Sequence, residues 1–302
     1  MLKTLARSIF YGNYFYGCCT VALAIEASMQ QSLPLNSYWF YLLLYCATVL
    51  FYTYAYMQEN KTRYVNNRNS WYSNNRSLIK WSQLFMLAVT ASLSVYFLIK
   101  YNFQLLNITV LQVLPLLVVG FIALAYYGIS LGPGIKISTR KTGWFKPFAI
   151  GLVWATIVTY VPVLWFQVEQ NTHYNFGRIN FWLIIKNFMY ISELAILFDI
   201  KDYAADHNRK LKTFVVRVGL RKTIFYIIIP LAVLGFLSLI IFASIVHFPA
   251  LRIIINSIPF VLLIIVAWSM HRRKPIIYYL AVIDGLMLVK ALCGITAALL
   301  LQ

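Results

Sequence analysis

The sequence predicts an all-α integral membrane protein, and three observations lead there. Hydrophobic residues fill 61% of its 302 positions and charged residues only 11%, which is more apolar surface than a soluble domain of this length can hide. The apolar residues fall into runs long enough to cross a bilayer, separated by short polar breaks. The basic residues collect in alternate breaks, the signature of loops that stay on the cytoplasmic side. A single polytopic domain over residues 1–302 accommodates all of this.

Nine spans are read in order. The first, at about 11–31, follows the start MLKTLARSIFYGNYFYGCC, whose basic residues and apolar continuation also fit a signal peptide. Asn13, Gly17 and the density of aromatics make a poor signal core, so the segment is expected to stay as a spanning helix. Leu33-Pro34-Leu35-Asn36 punctuates the entry to the second span, 37–57, and the third and fourth are read at 80–101 and 108–130. Gly132-Pro133-Gly134 closes the fourth. The fifth to eighth follow at 145–166, 180–200, 222–246 and 251–270, and Arg273-Lys274-Pro275 precedes the ninth at 276–301.

The formal net charge of +18 raises the question of a nucleic-acid partner, and its distribution answers it. Two basic residues precede the first span, five lie between 61 and 80, four between 136 and 146, seven between 201 and 222, and three at 272–274. These 21 of the 26 Lys and Arg residues share one side if the amino terminus is cytoplasmic. A bilayer and its positive-inside bias account for the charge, with no nucleic acid needed. An inner, plasma-membrane setting is expected, with the carboxyl terminus outside. The four cysteines fall within spans without metal-ligand spacing, as buried small hydrophobes do. The four histidines fall in different loops and make no metal set.

Only eight acidic residues occur in the chain, and three of them, Asp199, Asp202 and Asp206, fall within eight positions. On a helix they would lie at i, i+3 and i+7 on one face. Carboxylates crowded in this way repel unless a cation neutralises them, and hard oxygen ligands suit Mg²⁺ shared with substrate phosphates. A solvated helix end is the other reading of the same triplet.

The stretch DIKDYAADHNRKLKTFVVRVG, from Asp199 to Gly219, resembles the second aspartate-rich motif of the UbiA superfamily of membrane prenyltransferases. The matching positions are Asp199, Asp202, Asp206, Lys212, Thr213, Val216, Arg217 and Gly219, while Lys210 and Val215 depart from the usual Gly and Pro. The resemblance implies nine helices around a cavity open to the cytoplasm, with loops after the second and sixth helices capping it. It also implies Mg²⁺ as cofactor, Asp199, Asp202 and Asp206 as the catalytic metal-binding acids, and a prenyl diphosphate and an acceptor as substrates. The first capping loop, YAYMQENKTRYVNNRNSWYSNNR, lacks the aspartates of the family's first motif, and Glu59 is its only acid.

Basic side chains offer a physical substitute there. Lys61, Arg63 and Arg68, with Lys212 and Arg217 from the second loop, could bind a diphosphate directly through charge-assisted hydrogen bonds. Equally, the first-loop residues could anchor that loop at anionic headgroups. Intramembrane charges need partners: Glu26, Lys186, Glu193, Asp284 and Lys290 lie within spans. Depth along the helices puts Lys186 and Lys290 at similar heights, with Glu193 and Asp284 nearer the inner side. Pairing between helices is the first expectation, and Glu193 and Asp284 are the candidate bases inside a cavity. Two readings of function follow from a different class: a non-catalytic lipid-phosphate binder, or a transporter, although no inverted repeat supports the latter.

Overall fold

The computed structural model describes residues 2–58, 67–127, 129–132, 135–137, 143–208 and 210–300. Lys61 and Arg63 lie outside the described residues. The chain opens with α1 (Leu2–Tyr11) and α2 (Tyr14–Gln30). Between them Asn13 adopts φ 64°, the left-handed region that Asn tolerates better than most residues. The expected first span therefore begins at a break, with a separate short helix ahead of it. Next come α3 (Tyr38–Gln58), α4 (Asn67–Asn74), α5 (Arg76–Lys100), α6 (Asn102–Leu106) and α7 (Val110–Tyr127).

The expected fourth span, 108–130, stops short. After Tyr127 the chain forms an antiparallel ribbon of β1 (Ile129–Gly132) and β2 (Ile135–Ile137), with Ile129 opposite Ile137. The β-branched Ile residues suit extended backbone, and Gly132 ends the first strand.

The second half is built from long helices, α8 (Lys146–Gln170), α9 (Arg178–Asn208), α11 (Leu220–Ile245), α12 (Ala250–Ser269) and α13 (Ile276–Leu299), with the one-turn α10 (Phe214–Val218) between α9 and α11. With α5, these five long helices make six that are long and apolar enough to cross a membrane. Three contain a turn of π-helix: Thr156–Tyr160 in α8, Thr223–Ile228 in α11 and Tyr279–Ile283 in α13. In the first two, Pro162 and Pro230 follow directly, and their missing N–H groups break the i→i−4 ladder locally. In α13 the Asp284 N–H reaches back to the Tyr279 carbonyl at 3.1 Å, so the extra residue sets the direction in which Asp284 leaves the helix.

α8 and α9 form the centre of the bundle. In the apolar stretch of α8, 61% of residues are buried, against 22% for α5 and for α11. The outward residues of α5 and α11, such as Phe85, Leu87, Leu234 and Ile241, are exposed, as a lipid-facing surface requires. Small residues bring the central helices close. A side chain at Gly151 of α8 would put its Cβ 2.0 Å from Ser192 Oγ and 2.9 Å from the Phe188 carbonyl of α9.

Candidate functional site

The aspartate-bearing segment departs from the regular helix expected of it. α9 is α-helical to Asp199, passes through a 3-10 turn at Ile200–Asp202, then resumes for Tyr203–Asn208. Three residues per turn, in place of 3.6, shift the faces on which Asp199 and Asp206 project. Asp199 is 4% exposed, Asp202 and Asp206 are half-buried, and each of the first two has a lysine. Lys146 Nζ lies 2.6 Å from Asp199 Oδ1, and Lys201 Nζ lies 2.9 Å from Asp202 Oδ2.

Lys146 reaches Asp199 because the entry to α8 is packed under the end of the motif. Gly143 sits so close to Thr213 that a Cβ would come 2.9 Å from its Cα. Phe148 meets Phe214 edge-on at 5.8 Å, and the Arg217 guanidinium stands 5.8 Å over the Trp144 ring. Phe214 and Val215 are buried, whereas Lys212 and Arg217 are exposed. The apolar half of the motif therefore anchors the loop, and its basic residues point outward.

Asp199 Oδ2 is buried without any hydrogen-bond partner among the described residues. A carboxylate oxygen removed from water in this way needs a cation or a proton donor. This is the observation against which Mg²⁺ can be tested. Among the described residues, no three His, Cys, Asp or Glu side chains are gathered to hold a metal ion. Mg²⁺, however, binds through one or two carboxylates plus phosphate oxygens more often than in an all-protein cage. The unpartnered Asp199 oxygen fits that mode, and a preformed three-carboxylate centre does not.

A second buried acid stands close by. Asp284 is 5% exposed and accepts a 2.7 Å hydrogen bond from the Tyr16 hydroxyl. Tyr16 stacks on Tyr52 at 4.6 Å, and the Tyr52 oxygen in turn accepts from Trp154 Nε1 at 2.5 Å. Arg68 and Lys201 are the cations whose fields act on Asp284, and Asp202 acts on Tyr279. Lys201 lies 4.3 Å over the Phe198 ring, which meets Tyr279 edge-on. Acids, lysines and aromatic faces from α2, α3, α8, α9 and α13 thus converge at one end of the bundle.

Arg68 is not the exposed diphosphate ligand that the sequence implied. It is 3% exposed, because its guanidinium is occupied in tying α1, the turn at Asn13, α3 and α4 together. Nε and Nη2 donate to the Tyr11 carbonyl at 3.2 and 2.9 Å, Nη2 also to Asn13 Oδ1 at 2.6 Å, and Nη1 to the Tyr56 hydroxyl at 2.8 Å. Burial alone would lower its pKa. The Tyr56 and Tyr72 phenols, with Tyr16 and Asp284, outweigh that and hold it above the ordinary value. Burial pushes the Tyr72 phenol up to about 12, so it stays protonated and donates to the Tyr11 carbonyl at 2.9 Å.

The other intramembrane charges pair differently from the nearest sequence candidates. Lys186 and Glu193 share a face of α9 but not a bond. Lys290 Nζ lies 2.6 Å from Glu26 Oε2, and Lys186 Nζ lies 3.7 Å from Glu26 Oε1. The expected similar heights of Lys186 and Lys290 appear as a shared acid. Glu193 is 3% exposed and makes no hydrogen bond or ion pair among the described residues. Tyr16, Tyr52, Lys201 and the Lys146 pairing were missed by sequence reasoning. The first two lay hidden among 51 aromatic residues, and the Lys146 partner is 53 positions away. No protein-family model, curated protein or solved structure matches the chain, and the chemistry of the site rests on its own residues.

Proposed function

We propose that this chain is a membrane prenyltransferase of the UbiA kind, crossing the bilayer nine times, which moves an isoprenyl group from a prenyl diphosphate to an acceptor. The observation that carries the reading is the buried, unpartnered Asp199 Oδ2 inside a motif of matching spacing. α2, α3 and α7 supply the crossings beyond the six long helices.

In this reading Asp199 Oδ2 would hold a Mg²⁺ that arrives with the diphosphate, with Asp202 and Asp206 as the further acids that the phosphate-bound ion would draw in. The ion would neutralise charge that grows on the leaving diphosphate. Lys146 and Lys201 sit against the same carboxylates and add positive charge where that group departs. The allylic C–O bond breaks with its electron pair going to the diphosphate, and the acceptor nucleophile bonds to the allylic carbon. The faces of Tyr16, Tyr52, Trp154 and Phe198 line the neighbouring side and suit a transient carbocation. Asp284, held by the Tyr16 hydroxyl, is placed to take the acceptor's proton, and the unpaired Glu193 lies farther up α9 as the alternative base.

The test is release of diphosphate by purified protein from geranyl, farnesyl and geranylgeranyl diphosphate with Mg²⁺. Release is expected from the unaltered protein and is expected to fall at least about a hundredfold in Asp199→Asn and Asp202→Asn, the range for a lost electrostatic contact to a leaving group. Binding of all three substrates without release would favour a non-catalytic lipid-phosphate binder, a reading that the aspartate-free first loop supports. Neither binding nor release would end both.

A further inference from the structure

At the end of the bundle away from Asp199, a second polar assembly remains that the proposed reaction does not use. Lys186 precedes Asp199 by 13 positions on α9, which at 1.5 Å per residue separates them by about 20 Å. Around Lys186 is a narrow cleft lined by Gln30, Trp182, Lys186, Phe248, Arg252 and Asn256, among others.

Its charge does not balance. Lys290 and Arg252 both act on Lys186, and among the described residues Glu26 is the single acid in contact with the lysines. Glu26 is filled by Lys290 at 2.6 Å, while Gln30 Nε2 donates to its other oxygen at 2.7 Å. Lys186 is left with one 3.2 Å hydrogen bond to Gln30 Oε1 and two further N–H donors. Its side chain is only 10% exposed. The Arg252 guanidinium lies 3.9 Å over the Phe248 ring and makes no hydrogen bond or ion pair among the described residues, although it is half-buried. Two cations with unused donors facing one cleft cost free energy in an apolar bundle unless an anion joins them.

The depth of the cleft narrows the ligand. Arg252 lies two positions into α12, at the boundary of the helix end, while Lys186 lies eight into α9, about 9 Å deeper. The walls between them, Trp182, Leu239, Phe242 and Phe248, are apolar, and Trp182 stacks on Phe242 at 4.0 Å. An anionic head that carries an alkyl chain satisfies both kinds of surface. We propose that this cleft binds a phosphate-type anion, with Arg252 and Lys186 as its two cationic contacts, Asn256 as a neutral donor and the aromatic wall against its chain. Bilayer phospholipid is the source that the depth favours, and free phosphate is the other.

Delipidated protein in a neutral maltoside detergent can be titrated with dodecyl phosphate and, separately, with inorganic phosphate, with thermal unfolding as the readout. Dodecyl phosphate should raise the melting temperature saturably. Lys186→Met and Arg252→Gln should each weaken its apparent affinity about tenfold or more, the usual loss for a charge-assisted hydrogen bond. Asp199→Asn should leave the titration unchanged, which separates this site from the one proposed for the reaction. If inorganic phosphate stabilises as strongly through the same residues, the site stands and its ligand is the free ion. Stabilisation by neither anion, or stabilisation indifferent to Arg252→Gln, overturns the proposal. Because the Arg252 guanidinium makes no hydrogen bond or ion pair among the described residues and rests only on the Phe248 ring, that variant is expected to fold and decides the matter even if Lys186→Met does not.

Discussion

The Arg68 side chain shows how a residue's surroundings decide its role. A basic residue in a polar loop reads as a headgroup anchor or a phosphate ligand, yet here the guanidinium is enclosed and bonded to the Tyr11 carbonyl, Asn13 and Tyr56. Removing it strands those acceptors in a dry site, at about 3 kcal/mol or more. Arg68→Ala should therefore lower the thermal stability of the protein strongly while the diphosphate affinity of whatever folds stays within about twofold. A large, salt-sensitive loss of affinity at unchanged stability would restore the ligand role. Nothing in the sequence indicated this network, since Tyr11 and Arg68 are 57 positions apart and the contact depends on the left-handed turn at Asn13. The aspartate triplet was legible as a concentration of rare acids. Its lysine partners were not, because spacing along a helix does not say which neighbouring helix faces it.

At the scale of elements, the positions of the long helices were readable from apolar runs, and most ends agree within a few residues. The π turns, the 3-10 turn at Ile200–Asp202 and the ribbon after Tyr127 were not legible, because each arises from local backbone competition that hydropathy does not record. Close helix contacts leave a sharper test. A Cβ on Gly294 of α13 would fall 2.4 Å from Glu26 Cγ and 2.7 Å from Gln30 Nε2, so Gly294→Ala pushes α2 away from α13 and disturbs the Glu26–Lys290 pair. Gly120 in α7 has nothing within 4 Å of the same position, and Ala there gains helix propensity of up to about 1 kcal/mol. Gly294→Ala should lower the melting temperature and Gly120→Ala should leave it level or raise it. Equal effects at the two sites would contradict the packing of α2 on α13.

For the molecule as a whole, α9 settles which loops can share a side. Its 31 residues extend about 46 Å, longer than the roughly 30 Å hydrocarbon core, so His173, just ahead of the helix, and His207, in its last turn, stand at opposite ends. With native cysteines replaced, an impermeant thiol reagent applied to intact cells should label a cysteine at 173 and miss one at 207. The reverse pattern would invert the bundle and move the aspartates to the outer face. The Glu26–Lys290 bond, described above as a contact, is also a delay. The two residues are separated by 264 positions, and at roughly 5 to 20 residues per second of synthesis the acid exists for tens of seconds before its cation emerges from the ribosome. Until Lys186, which stands 3.7 Å from the same carboxylate, has also been made, α2 carries an uncompensated acid, which favours a helix held at the insertion machinery. One of the first helices to be made is thereby among the last to be secured, when α13 brings Lys290 to it.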